Sequence, residues 1–373
     1  MKFSIDKAEL SSAVDFALSF VASKSSIPQL EGIKFVVKDG KLTLTGYNLE
    51  VGGAVSIPVN QINVEEGEAV LPARMLNDIL KKVKGDDVSV EIDGNYVGTL
   101  TCKRSKFKLA CLTADQYPAL PSVSADGFDI PGEDLKSLLE TVFATADSTA
   151  TTPVFTGVNL ALEGGKLTAA AIDGYRLAVK VWTGDATGES KATIPAAAAK
   201  ALRRVLPASA KVAVKFGEKH ALFRFDDQMI VCRVLDGKFA DWSRFIPADF
   251  KTIAVLDTDE AKSALDCACL VVTGAEKAPV KMEVDSKSVH FSVRTSNNSS
   301  CEELDALEVS GTAAKEPMVI GFNGRYLKDA LSAIKSESVE IRLNGPLSAI
   351  IVVPKDNDTK SEDVFLVQPV RLN

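Results

Sequence analysis

The 373-residue chain repeats one phrase three times at a spacing of 125 residues, and this spacing limits its folds more than any other feature. A short strand at Lys2 to Ile5 leads into a helix over about Lys7 to Val21, with Leu10, Val14, Ala17 and Val21 on one face. Phe128-Asp129-Ile130 leads into a second such helix carrying Leu135, Leu138, Leu139, Val142 and Phe143. Thr252 to Val255 leads into a third carrying Ala261, Ala264, Leu265, Ala268 and Val272. Phe3, Phe128 and Ile253 stand 125 residues apart in turn. Hairpins follow at the same interval, Gly32-Ile33-Lys34-Phe35 turning at Asp39-Gly40 and Gly157-Val158-Asn159-Leu160 turning at Gly164-Gly165. Asn48, Asp173 and Asn298 each end a strand of that pair. A strand and a second helix close the pattern: Val70-Leu71-Pro72 with Arg74 to Lys84, Thr193-Ile194-Pro195 with Ala196 to Leu206, and Val319-Ile320-Gly321 with Arg325 to Lys335.

A repeat this long can bury its own core, so it predicts domains and not a solenoid. The expected class is α+β, with three repeated domains that each pack two helices on antiparallel β-sheets. Proline and polar residues cluster at Pro118 to Gly127 and Pro247 to Lys251, which places the domains at 1–122, 127–247 and 252–373.

Chemistry is sparse. Six cysteines are scattered without a C-x-x-C pair and read as reduced, mostly buried thiols. The two histidines, His220 and His290, lie near no cluster of metal-ligand spacing, so no metal and no histidine triad is expected. No G-x-G-x-x-G or G-x-S-x-G occurs, and Gly165-Lys166 lacks the upstream glycine of a P-loop because position 160 is Leu. No enzyme activity and no cofactor is expected. No apolar run reaches the ~18 residues of a membrane span, and the N-terminus does not read as a signal peptide, so the expected location is the cytoplasm without membrane association.

The stretch Ala171 to Val181 reads as a strand, a tight turn at Asp173-Gly174 and a second strand. Asp173 belongs to the repeat. Gly174 to Leu177 does not, because the other units read Leu49-Glu50 and Ser299-Ser300 there, which marks it as the better place for a partner.

The net charge of -7 argues against an all-over basic surface but leaves room for a basic patch. The second helices supply one. Leu76, Ile79, Leu80 and Val83 form a buried stripe opposite Arg74, Asn77, Lys81 and Lys84. Ala198, Ala201, Leu202 and Val205 pack inward, while Lys200, Arg203 and Arg204 point out. Leu327, Ala330, Leu331 and Ile334 pack, while Arg325, Lys328 and Lys335 point out. Three equivalent basic faces suit the backbone of a polyanion. The late strands differ in sign: Lys103, Arg104, Lys106, Phe107 and Lys108 crowd one, and Glu302, Glu303, Asp305 and Glu308 crowd another. These charges either guard exposed edges or pair one molecule's basic edge with another's acidic edge, head to tail. A three-domain acidic protein that assembles through its edges without touching DNA is the competing reading.

The chain resembles the bacterial DNA polymerase III beta subunit family, the sliding clamps. The resemblance is carried by M-K-F at the start, L-T-L-T-G at 42 to 46, L-P-A-R at 71 to 74, D-G-Y-R-L-A-V at 173 to 179, L-D-G-K-F at 235 to 239 and P-V-R-L at 369 to 372. It implies two chains closed head to tail into a homodimeric ring of six domains. That ring would encircle double-stranded DNA without sequence specificity and act as a polymerase processivity factor. The implied partners are the DNA polymerase III alpha subunit, the clamp loader, and other polymerases and repair proteins that carry clamp-binding motifs.

The resemblance also assigns residues. A peptide pocket between the middle and last domains would use Phe155, Ile172, Gly174, Tyr175, Arg176 and Leu177. To these it adds Ala240, Arg244 and Phe245, and the tail Leu366, Val367, Gln368, Pro369, Val370, Arg371 and Leu372. Lys24 joins Arg74 among the DNA-facing cations, and Val271 and Val272 join the dimer interface. Tyr175, Ala240 and Gln368 depart from the family's usual residues, and Asn373 extends the tail. Ala196-Ala197 replace a basic pair, and the loop Asp147 to Pro153 lacks the family's Arg and Tyr. Direct DNA contact is therefore expected to be weaker than in other members.

Overall fold

The computed structural model describes residues 1–60, 62–146, 152–272, 278–355 and 362–372. Among these residues there are six α-helices: α1 (Lys7–Leu18), α2 (Ala73–Lys82), α3 (Gly132–Ala146), α4 (Ala196–Val205), α5 (Thr258–Cys269) and α6 (Gly324–Ala333). Capping explains several starts. Asp6 accepts from the backbone N–H groups of Ala8 and Glu9, Asp257 from that of Glu260, and Asn323 from that of Arg325. No helix among the described residues is long and apolar enough to cross a membrane.

The second helices end earlier than their charge pattern suggests. Val83 and Ile334 are already extended, with ψ of 142° and 132°, so Lys84 and Lys335 lie past the helix ends. Asn77, expected on the outer face of α2, is instead 7% exposed. Arg203 is half-buried, whereas Lys200 and Arg204 are exposed.

Contacts group the chain into two compact units, residues 1–136 with 197–235, and residues 137–196 with 236–373. The first unit holds a four-stranded sheet, Lys2–Asp6, Asp87–Ile92, Val97–Cys102 and Ser105–Ala110, in that spatial order. Its eight-stranded sheet runs Gly67–Pro72, Gly32–Lys38, Lys41–Tyr47, Val51–Pro58, Gln228–Arg233, His220–Phe225, Lys211–Phe216 and Gly127–Pro131. The second unit holds a nine-stranded sheet, Ser190–Pro195, Gly157–Glu163, Lys166–Ile172, Arg176–Thr183, Val364–Val367, Ile350–Lys355, Ser338–Leu343, Thr252–Asp257 and Glu308–Gly311. Its four-stranded sheet runs Ser299–Asp305, Ser288–Arg294, Val280–Val284 and Met318–Phe322. Each long sheet joins two sequence repeats through one antiparallel pairing, Val51–Pro58 with Gln228–Arg233 and Arg176–Thr183 with Val364–Val367. Hydrogen bonding across repeats thus fuses three phrases of sequence into two units of contact.

The strand-end residues need one correction. Asn48 and Asp173 both follow a strand and accept two backbone N–H bonds ahead of the next strand. Asn298 does not occupy that place. In the third copy Thr295 follows strand Ser288–Arg294, and its hydroxyl accepts from the Asn298 backbone N–H at 3.0 Å. The preceding strand Ser288–Arg294 already lies 122 residues after Lys166–Ile172, so the period has shortened before the turn, and a Thr turn stands where the other copies have an Asx turn. The cysteines also differ from expectation. Cys102, Cys111 and Cys232 are buried, but Cys267 and Cys301 are exposed on α5 and the edge strand Ser299–Asp305.

Candidate partner-binding site

The site is built on the turn between strands Lys166–Ile172 and Arg176–Thr183. Asp173 Oδ1 accepts from the backbone N–H groups of Tyr175 at 2.9 Å and Arg176 at 3.0 Å. Gly174 has φ of 89°, a conformation glycine adopts without the Cβ penalty. This leaves Tyr175 projecting, 63% exposed, while Arg176 turns inward and is 6% exposed.

Each of the three guanidinium nitrogens of Arg176 donates a hydrogen bond. Its Nε donates to Asp173 Oδ2 at 2.8 Å, one Nη donates to the Asp329 carboxylate, and the other donates to the Ala144 carbonyl at 2.6 Å. Its Cζ lies 4.5 Å from the centroid of the Tyr326 ring, and Tyr326 stacks on Tyr175 at 6.4 Å. Burial works to lower the guanidinium pKa, but the bonds to Asp329 and Asp173 outweigh it and hold the pKa above its ordinary value. Arg176 therefore organises the floor of the site and is not a free donor at its surface.

Beside the turn lies an apolar bed of Ala170, Ile172, Leu177, Val179, Ile351 and Leu366. Phe155, Phe239, Ala240, Trp242 and Ala349 pack against it while remaining partly open. Phe155 and Phe239 meet edge to face at 6.2 Å. The short 3-10 helix Trp242–Phe245 leaves Phe245 49% exposed. Asp241, bonded to the Ser243 hydroxyl at 2.7 Å and to Arg244 Nε at 2.8 Å, has its pKa lowered by those donors.

The tail completes the wall. Leu366 and Val367 pair with Leu177 and Arg176, the Gln368 N–H donates to the Tyr175 carbonyl at 2.8 Å, and the Val370 N–H donates to the Gly321 carbonyl at 2.7 Å. Pro369 bridges Phe322, while Gln368, Val370, Arg371 and Leu372 stay exposed. A cavity of about 880 Å³ opens beside Val370, Tyr326 and Leu270. The pocket residues expected from sequence are thus brought together in one unit. Sequence reasoning missed Phe239, Trp242, Tyr326, Asp329 and Ala349. The L-D-G-K-F phrase held the signal for Phe239, but nothing local marks Tyr326 or Asp329, which reach Arg176 across 153 residues in the case of Asp329.

The basic faces are partly tied up. Arg204 Nη2 lies 3.1 and 3.0 Å from the two oxygens of Asp15, and Lys81 lies 3.9 Å from the same carboxylate. Lys328 bonds Asp266 at 2.7 Å, which raises its pKa, and Arg325 lies 3.9 Å from Asp329. Lys24, Arg74, Lys84, Lys200 and Lys335 are exposed and form no ion pair among the described residues. Residues 147–151 of the expected DNA loop lie outside the described residues.

Both charged strands are sheet edges. Ser105–Ala110 borders one four-stranded sheet with Lys106 and Lys108 exposed and Phe107 half-buried; Lys103 and Arg104 occupy the exposed turn before it. Ser299–Asp305 borders the other with Glu303 and Asp305 exposed and Glu302 half-buried. Val271 and Val272 follow α5 instead of riding on it, both half-buried, and Leu270 beside them is 75% exposed. Leu270 was missed, although the run Cys269-Leu270-Val271-Val272 is its signal.

Sequence models of the N-terminal, central and C-terminal domains of the DNA polymerase III beta subunit match residues 1–121, 129–241 and 243–368. The chain belongs to the DNA polymerase III beta subunit family. The beta sliding clamp of Staphylococcus aureus is 30% identical over 382 residues, covering 100% of this chain and 99% of that protein. The beta sliding clamp of Staphylococcus epidermidis is 30% identical over 383 residues with the same coverage. Among solved structures, the DNA polymerase sliding clamp of Bacillus subtilis superposes with a TM-score of 0.93 at 28% identity, covering 100% of both chains. The beta subunit of Streptococcus pyogenes DNA polymerase does so with a TM-score of 0.93 at 26% identity and the same coverage. The three-domain clamp fold of this family, α+β with helices on antiparallel sheets, is the fold of this chain.

Proposed function

We propose that the protein is a DNA polymerase processivity factor, a non-catalytic sliding clamp that closes head to tail with a second copy around duplex DNA. The supporting observation is the pair of bare sheet edges, a basic one at Ser105–Ala110 and an acidic one at Ser299–Asp305. Each strand has a neighbour on one side alone among the described residues, so antiparallel addition of one to the other would extend both sheets while opposite charges meet. Phe107 on one copy then faces the apolar Leu270 to Val272 end of α5 on the other. The domains would fall at 1–122, 127–247 and 252–373.

On this reading the basic second helices face phosphates and carry no sequence information. The groove beside Tyr175 takes a short, mostly apolar motif from the polymerase's alpha subunit, the clamp loader, or other polymerases and repair proteins. The test is topological. The protein is expected to stay on a nicked circular duplex and to be lost when the circle is cut, and equal retention on both would overturn encirclement. Phe107→Glu should give monomers by light scattering. Deleting residues 368–373 should abolish binding of an alpha-subunit peptide while leaving the dimer intact.

A further inference from the structure

Asp15, Glu140 and Asp266 are each the ninth residue of the first helix in their repeat, counted from Lys7, Gly132 and Thr258. The repeat thus places a carboxylate at the same point three times, as it also does at Glu9, Asp134 and Glu260 in the first turns, where acidic residues suit the helix N-terminus. Two of the three hold cations of the second helices. Asp15 takes Arg204 in a two-oxygen contact at 3.0 and 3.1 Å, with Lys81 at 3.9 Å, and Asp266 takes Lys328 at 2.7 Å. Glu140 is exposed at the equivalent place on α3. The Asp15–Arg204 contact is solvent-open, with side-chain exposures of 44% for Asp15 and 56% for Arg204, so it contributes little to stability.

We propose that these three carboxylates compete with phosphates for the cations of the second helices, which keeps DNA contact loose enough for sliding. The inference rests on the reading that these helices face duplex DNA. A cation held by a carboxylate releases no counterion when DNA arrives, because exchanging one anion for another changes little in net charge. Each such tether therefore removes about one phosphate contact from the salt dependence of binding. It also explains how Lys81, Arg204 and Lys328 can sit on a basic face without adding to adhesion, while Lys24, Arg74, Lys84, Lys200 and Lys335 stay available.

The test is binding to a short linear duplex, followed by fluorescence anisotropy between about 50 and 200 mM salt. The variant Asp15→Asn/Glu140→Gln/Asp266→Asn should bind about tenfold more tightly at the low-salt end, with a log–log slope steeper by about one for each cation released. The charge-keeping variant Asp15→Glu/Glu140→Asp/Asp266→Glu should behave like the unmodified protein. Arg204→Ala should leave the slope nearly unchanged alone and make it shallower in the Asp15→Asn background, a non-additivity that a merely structural ion pair would not produce. An unchanged or shallower slope in the triple neutral variant, with its melting temperature intact, would overturn the proposal. Failure of the unmodified protein to remain on a nicked circle would count against encirclement, while the linear-duplex slopes would still decide the role of the carboxylates.

Discussion

The turns Asn48–Val51 and Asp173–Arg176 share a backbone but differ in what they do with it. In both, an Asx side chain accepts from the N–H groups two and three residues on. In both, the next residue has positive φ, 73° at Leu49 and 89° at Gly174. In both, the following carbonyl receives an N–H from the neighbouring strand at 2.8 Å, Arg233 to Glu50 and Gln368 to Tyr175. The segment that looked unique to the middle repeat is therefore a shared backbone with different side chains. Around the first turn the chain closes its own groove. Tyr117 is 7% exposed and donates to the Thr45 carbonyl at 3.0 Å, and Leu120 lies so close over Gly52 that a Cβ there would meet it at 2.4 Å. Around the second, the corresponding apolar bed is flanked by exposed Tyr175, Phe245, Val370 and Leu372. The repeated scaffold stays partly open where its own linker, Ala240 and Trp242 included, covers it less completely, and this is where the partner motif is proposed to dock.

The largest difference should appear at the residue after the turn. Val51 is 2% exposed in an apolar setting, whereas Arg176 is equally hidden but neutralises Asp173 and Asp329. Arg176→Ala strands a buried carboxylate, so it should destabilise by about 3–5 kcal/mol. Val51→Ala should cost about 1–2 kcal/mol, the transfer and cavity terms of a small side chain. Urea unfolding of the two variants checks this, and equal losses would mean that the Arg176 network adds nothing beyond packing.

Next in size is recognition. Tyr175→Ala removes an exposed aromatic that stacks on Tyr326, and should weaken an alpha-subunit peptide by about tenfold or more, as expected of an aromatic anchor. Glu50→Ala, at the same place in the closed copy, should leave that affinity unchanged. Isothermal titration of both variants would separate a site made by side chains from one made by the turn.

The comparison also explains what could be read from the sequence. The six helices and most strands were legible because apolar spacing and glycine turns such as Gly164-Gly165 are local signals. The chain segments around Tyr175 that the structure places in one unit were named through the family resemblance. The burial of Arg176 was not legible, because it depends on Asp329, Tyr326 and the Ala144 carbonyl, all remote in sequence. Asn77 was misplaced because charge periodicity alone assigns any polar residue to the outer face, while its neighbours pack it inward. The third-copy turn was misassigned because a period of 125 was extended through a hairpin whose turn is built on Thr295.

Backbone strain gives a smaller contrast of opposite sign. Leu49 holds φ of 73° with a side chain that is 49% exposed, so it bears strain with little burial in return. Leu49→Asn, which tolerates the left-handed region, should stabilise by about 0.5 kcal/mol. Gly174→Ala meets no atom within 4 Å at its Cβ but keeps φ of 89°, and should destabilise by about 1 kcal/mol. Thermal unfolding of each variant checks the signs, and matching signs would mean that the two backbones are less alike than their hydrogen bonds.

The smallest effect lies across the sheet from the turns, where Val51 pairs with Cys232 and Arg176 pairs with Val367. Burial pushes the Cys232 thiol from 9.0 up to about 12, so the folded protein keeps it neutral while the unfolded chain ionises near the ordinary value. A raised folded pKa means that this contribution is complete below pH 9 and is lost as pH rises toward 12. At pH 9, where half of the unfolded chains have lost the proton, the loss is about 0.4 kcal/mol. Cys232→Val, which copies Val367, should remove that part of the alkaline decline and leave stability at pH 7 nearly unchanged. Denaturant midpoints of the two proteins should therefore run in parallel up to pH 8 and separate above pH 9, the variant falling less. Curves that stay parallel to pH 10 would show that the thiol ionises equally easily in both states, and that the closed copy is wetter behind Val51 than its packing implies.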